Sequence, residues 1–185
     1  MSNAQQENLP EAVPGYGGTV RAMHWIGALV VIAAWCVGIS LDSFPRGPER
    51  TAVMGLHSTI GLVVFSLAVL RILWRIATPA PVQEGPVWLM AVARAGHTAL
   101  YVLTLALPAT GLLARWAKSG SASLIGGLSI PAPFPLPETK LFGEIHVTIA
   151  NALAALVAVH VVAALFHHFV LRDATLRRMA PGRAR

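Results

Sequence analysis

The stretch over residues 144–171, EIHVTIANALAALVAVHVVAALFHHFVL, constrains this chain more than any other. It is almost wholly apolar for more than twenty residues, long enough to cross a bilayer as a helix. His146 and His160 lie inside it. Ionisable side chains are costly in lipid and usually mark function. The two are fourteen residues apart (160 − 146), close to four whole turns, so their rings project from roughly one face. At the helical rise they stand about 21 Å apart along the axis. One histidine therefore lies near each membrane surface, facing the same way. That spacing suits two metal centres stacked across a membrane, provided other helices supply the opposite ligands.

Composition narrows the class. The 185 residues suffice for one domain. Hydrophobic residues make up 55% and charged residues 12%, against about a quarter charged in a soluble domain. The net charge of +6 and a pI near 10.7 do not indicate a nucleic-acid partner. The basic residues cluster at the ends of apolar segments, as membrane flanks do. Cys36 is the single cysteine, which excludes an intramolecular disulfide and a cysteine-ligated iron–sulfur cluster within the chain. Residues 1–20 are polar with no basic n-region, so the first apolar run is expected to be a retained span, not a secretory signal.

The expected fold is all-α, an integral membrane antiparallel four-helix bundle. A polar lead-in covers residues 1–20, the four-helix domain 21–176 and a basic tail 177–185. The helices are expected at about 21–41, 51–76, 94–116 and 144–171. Proline-containing connectors, DSFPRGPER and TPAPVQEGP, separate the first three. Residues 118–142 form the longest loop, rich in Gly, Ser and Pro.

Orientation follows from the basic residues on each side. With the N-terminus inside, the inner set is Arg21, Arg71, Arg75, Arg94, Arg172, Arg177, Arg178, Arg183 and Arg185, nine residues. The outer set is Arg46, Arg50, Arg115, Lys118 and Lys140, five residues. Both termini are therefore expected inside, on the cytoplasmic face.

This topology sorts the histidines by depth. His24, early in the first helix, lies near the inner surface, and His57, early in the second, near the outer one. On the returning fourth helix His146 is outer and His160 inner. The pairs that follow are His24 with His160 and His57 with His146. Two histidines in an apolar bundle are the usual axial pair of b-type haem, whose properties the protein sets through ligand identity, hydrogen bonding and burial. A c-type haem would need Cys-x-x-Cys-His, which the chain lacks. Zinc or copper would want further ligands close by.

Other residues carry blander readings. His97 is expected to hydrogen-bond a neighbouring carbonyl, and His167 and His168 to lie at the interface. His167 shares a face with His160, seven residues away (167 − 160), and competes with it for the inner position. Arg71 and Arg75 read as an ordinary basic flank, with bidentate binding of haem propionates as the functional alternative. Trp25, Trp35, Trp74, Trp88 and Trp116 sit mostly near span ends, as in an aromatic belt. Gly61 and Gly111 are expected to serve helix packing, with close approach of a flat macrocycle as the other use.

With these pieces in place, the chain resembles the bacterial cytochrome b561 family of four-helix dihaem membrane proteins. The matching segments are RAMHWIGALVVIAAW, GLHSTIGLVVFSLAVLRILWR, GHTALYVLTLALPATGLL, GLSIPAPFP and EIHVTIANALAALVAVHVVAALFHHFVLRDATLRRM. Together they cover about residues 16–179. The resemblance implies haem b ligands at His24, His57, His146 and His160, two haems per chain, and electron transfer between an outer donor and the quinone pool. It also favours His160 over His167.

One reaction the resemblance implies is superoxide:ubiquinone oxidoreduction. Arg115, Lys118 and Lys140 would then draw an anionic donor, or else are solvated loop charges. The alternative is a cytochrome b subunit that anchors a separate soluble redox enzyme, such as a hydrogenase or dehydrogenase. No residue reads as a catalytic acid or base. Membrane lipid and quinone are the expected partners, while neither the donor nor the oligomeric state is legible in the sequence.

Overall fold

The computed structural model describes residues 16–78 and 86–180. The lead-in before Tyr16, most of the TPAPVQEGP connector and the last five residues lie outside them. Four long helices follow one another: α1 (Gly18–Ser40), α2 (Pro48–Ala77), α3 (Val87–Ser119) and α4 (Leu141–Phe166). The spans they carry reach mean hydropathies of 2.0, 2.0, 1.4 and 2.3, so all four are long and apolar enough to cross a membrane. Leu29, Val102 and Val159 are all more than half exposed on the outside of the bundle. Among the described residues no polar residue is buried as a whole. The buried core is made of Val64, Ala68, Ala117, Ala122, Leu153 and Leu41.

The helix limits have local causes. Pro48 opens α2 at its first residue, where its missing N–H costs nothing. Gly120, at φ 69°, closes α3 in the left-handed conformation that glycine adopts freely. α3 begins at Val87, upstream of the expected start near residue 94. The lead-in VWLMAVA holds no glycine or proline, so lead-in and span form one helix. α4 continues as a π-helical turn, His167–Leu171. It ends where Arg172 turns to φ 54°, and a short α5 follows (Thr175–Met179).

The long loop after α3 is an ordered cap. Strands β1 (Ser121–Ser123) and β2 (Ser129–Pro131) pair antiparallel, with Ala122 opposite Ile130. Trp116 Nε1 donates to the Ile130 carbonyl at 3.1 Å, fastening the hairpin to α3. The Ile125 N–H donates to Thr59 Oγ1 at 3.0 Å, fastening it to α2. A side chain at Gly55 would meet the Leu124 carbonyl oxygen at 3.1 Å, so the small residue lets the cap lie against α2.

Consecutive helices run antiparallel and pack side by side: α1 on α2, α2 on α3, α3 on α4. Neither α1 and α4 nor α2 and α4 are among the closely packed pairs. The tail joins α1 to α4 instead. Trp25 Nε1 donates to the Met179 carbonyl at 2.8 Å, and Arg21 Nη1 to the Ala180 carbonyl at 3.1 Å. The bundle thus has a terminal end, where α1 begins beside α5, and a hairpin end, under the β1–β2 cap.

Candidate functional site

Histidines meet at two levels of the bundle. At the hairpin end, His57 of α2 and His146 of α4 have ring centroids 6.0 Å apart and planes at 89°. At the terminal end, His24 of α1 and His160 of α4 stand 6.3 Å apart at 67°. These are the two pairs that depth sorting brings together. Each pair bridges helices that do not pack closely on one another.

The hairpin-end pair is fixed by backbone groups. His57 Nδ1 lies 3.1 Å from the Ala34 carbonyl oxygen, and His146 Nδ1 lies 2.9 Å from that of Leu107. A carbonyl can only accept, so each Nδ1 carries the proton and donates. The lone pair is then left on Nε2, the arrangement found in metal-ligating histidines. Both rings lie against glycine. A Cβ at Gly38 would stand 3.0 Å from His57 Cε1, and one at Gly111 would stand 2.9 Å from His146 Cε1. Gly111 therefore serves the close approach of an imidazole, not the helix packing expected of it. Nothing comes within 4 Å of a Cβ at Gly61, which faces open space. Sequence reasoning missed Gly38, a small residue among many in an apolar run.

The terminal-end level holds more groups. Arg71 Nη2 donates to His24 Nδ1 at 3.2 Å, and its guanidinium lies 5.4 Å from the Tyr101 ring centre. The Trp25 ring packs edge-on against His24 at 5.3 Å. His97 of α3 comes within 5.7 Å of His160, so it belongs to this level and not to an isolated position on α3. His167 points elsewhere. Its Nδ1 donates to the Asp173 carboxylate at 2.5 Å. Burial alone would raise that carboxyl, but hydrogen bonds from His167 and Thr175 outweigh it and hold it at about 2.

Two arginines at the hairpin end have distinct surroundings. Arg50 donates to the Leu41 carbonyl, to the Phe44 carbonyl at 3.0 Å and to Asp42 at 3.2 Å. Arg115 sits four residues beyond Gly111 on α3, and its Nε is buried with no hydrogen-bond partner among the described residues. A buried guanidinium nitrogen without a partner is the donor an anionic group would satisfy. No group of three or more His, Cys, Asp or Glu that could hold a bare metal ion is found among the described residues. The arrangement is one of two imidazole pairs, each set between helices long and apolar enough to cross a membrane.

Comparison with known proteins agrees. Residues 15–182 match the family described as prokaryotic cytochrome b561, and the chain belongs to that family. Cytochrome b561 homolog 2 of Escherichia coli is 32% identical over 184 residues, 93% of each chain. Cytochrome b561 homolog 1 of the same organism is 35% identical over 167 residues, 87% of this chain and 94% of its own. A protein of Yersinia pestis named probable superoxide oxidase CybB is 33% identical over 165 residues, 86% of this chain and 92% of its own. The chain is thus a multi-pass bacterial membrane protein of electron transfer, and its family implies b-type haem.

The residues present fit that group. Metal–imidazole bonds are about 2 Å long and a ring nitrogen lies roughly 1.1 Å from its centroid, so rings on either side of one iron have centroids about 6 Å apart. Both pairs have that separation. The two glycine surfaces at His57 and His146 are cradles that a Cβ would fill.

Proposed function

We propose that this chain is a dihaem b-type cytochrome carrying electrons from a donor at its hairpin end to the quinone pool. His57 and His146 hold one haem and His24 and His160 the other. The observation that carries the reading is the pair of imidazole couples, 6.0 and 6.3 Å apart, each bridging helices that are not packed together. Bound haem supplies one-electron oxidation and reduction at iron. The protein positions the two ligand pairs, excludes water with apolar helices and sets the charge around each pair.

In this reading the hairpin end faces the periplasm and both termini face the cytoplasm. Nine basic residues then lie inside and five outside, as membrane insertion favours. Arg115, Lys118 and Lys140 present a positive surface at the hairpin end, which raises the encounter rate of an anion. Superoxide is such a donor, and one relative carries the name of a probable superoxide oxidase. The balanced reaction takes two superoxide anions, one ubiquinone and two protons to two dioxygen molecules and one ubiquinol.

The test has two parts. Pyridine haemochrome analysis of purified protein should give two b-type haems per chain. One or none would overturn the paired-ligand reading. A superoxide source and a ubiquinone analogue should then give quinol with the purified protein alone. Two haems without turnover, and a soluble redox enzyme co-purifying, would favour an anchoring cytochrome subunit.

A further inference from the structure

The hairpin-end pair is built twice over in the same way. On α1, the Ala34 carbonyl accepts from His57 Nδ1, and Gly38, four residues on, leaves room for the His57 ring. On α3, the Leu107 carbonyl accepts from His146 Nδ1, and Gly111, again four residues on, leaves room for the His146 ring. Four residues are about one helical turn, so carbonyl and glycine lie on one face, one above the other. The glycine is what lets the imidazole reach a carbonyl that already serves the helix. With a Cβ there, 3.0 Å from His57 Cε1 or 2.9 Å from His146 Cε1, the ring would have to shift. Both helices of the bundle that carry no ligand at this end therefore present the same device, a carbonyl with a glycine one turn later.

The terminal-end pair has no such device. Among the described glycines, none other than Gly38 and Gly111 has a histidine ring within 4 Å of its Cβ position. His24 faces a cation, Arg71, at 3.2 Å instead of a carbonyl. The chemical consequences run in opposite directions. An imidazole whose N–H donates to a carbonyl is a more basic, more electron-rich ligand, which stabilises the more positive iron. A guanidinium beside a ligand disfavours the more positive iron. Arg115 on α3 works against the first effect, but no hydrogen bond joins it to either hairpin-end ring among the described residues, whereas the Arg71 charge is placed beside His24, whether or not its hydrogen bond to Nδ1 is kept.

We propose that Gly38 and Gly111 are positioning residues whose carbonyl–glycine cradles preset His57 and His146 as electron-rich Nε2 ligands and poise the hairpin-end iron at the lower of two potentials. This rests on the dihaem reading above. It adds a direction to it, downhill from the hairpin end to the terminal end. No covalent step is involved. The cradles act through ring position and hydrogen bonding alone.

The experiment is a redox titration of the holoprotein, followed by its optical spectrum and by electron paramagnetic resonance of the ferric form. The full-length wild type, Gly38→Ala, Gly111→Ala and Gly61→Ala are compared. The wild type should show two b-type components, of which His146→Ala removes the lower-potential one. Gly38→Ala and Gly111→Ala, which sit on different helices, should each shift that same component to higher potential with altered ferric signals, or lose it. The higher-potential component should remain, which shows that the bundle has formed. Gly61→Ala should change neither. Unaltered midpoints and ferric signals in both Gly38→Ala and Gly111→Ala would overturn the proposal, as would an effect confined to the higher-potential component. A wild type without two b-type components would instead sink the dihaem reading, so the two failures are distinguishable.

Discussion

Arg71 Nη2 and His24 Nδ1 lie 3.2 Å apart, and the contact fixes the tautomer of the ring. Guanidinium cannot accept a hydrogen bond, so Nδ1 accepts and a neutral His24 carries its proton on Nε2. A ring that ligates through Nε2 carries the proton on Nδ1 and must turn that N–H away from a guanidinium. Ligation by His24 Nε2 thus requires Arg71 to give up Nδ1. The carboxylates of haem are the partner such a side chain binds bidentately. Arg71→Met should lower the midpoint of the terminal-end component. A unit charge about 8 Å from a redox centre in an effective dielectric of 20 is worth ~2 kcal/mol, roughly 90 mV for one electron. A redox titration reads the shift, and an unchanged midpoint would remove Arg71 from the site.

The proposed ligand pairs predict separable losses. His57→Ala or His146→Ala should leave one haem per chain, that of the terminal end. His24→Ala or His160→Ala should leave the other. His97 supplies the sharper comparison, because His160 lies 5.7 Å from His97 and 6.3 Å from His24. His97→Ala should keep two haems. Loss of one in His97→Ala, with both kept in His24→Ala, would move the ligand role to His97. Two haems in His160→Ala would move it to His167, which here is engaged with Asp173.

Charge at the hairpin end should govern the donor reaction. Replacing Arg115, Lys118 and Lys140 together by glutamine should slow superoxide-driven quinone reduction by ~10-fold at low salt and by less near 0.15 M, because the surface attraction is screened. Haem content should stay at two if these residues act only on the donor. A salt-independent rate in the unsubstituted protein would eliminate electrostatic capture of the donor.

Asp173 predicts an acid limit for the tail. Its folded carboxyl is held at about 2, below the roughly 3.9 of an unfolded chain. A depressed carboxyl contributes stability that is fully present above its unfolded value and is lost as pH falls through its folded one. The α4–α5 junction should therefore loosen between about pH 4 and pH 2. Asp173→Asn should remove that dependence. Amide hydrogen exchange over residues 172–180 measures it, and protection that ignores both pH and the substitution would disprove the role.

The spans and the four-helix architecture were legible because long apolar runs leave few alternatives in lipid. So was the depth of His24, His57, His146 and His160, since an antiparallel bundle converts position along each helix into height. The partners of those rings were not. The Ala34 and Leu107 carbonyls are backbone atoms and leave no mark in the sequence. Gly38 looks like any small residue in an apolar run, and its role appears only when His57 packs against it. His97 read as isolated because its nearness to His160 depends on the packing of α3 on α4. The engagement of His167 with Asp173 needs a π-helical turn and a left-handed Arg172, neither of which the residue types announce.

The tail that ties Trp25 to Met179 and Arg21 to Ala180 has a mechanical consequence. The four helices form an arc whose first and last members are not zipped along their length, and the strap sets how far the arc can spring open. Cutting the strap should leave the helices folded but let the two ends of the arc part, so Met179 and Ala180 act as a clasp that holds α1 and α4 at a set distance.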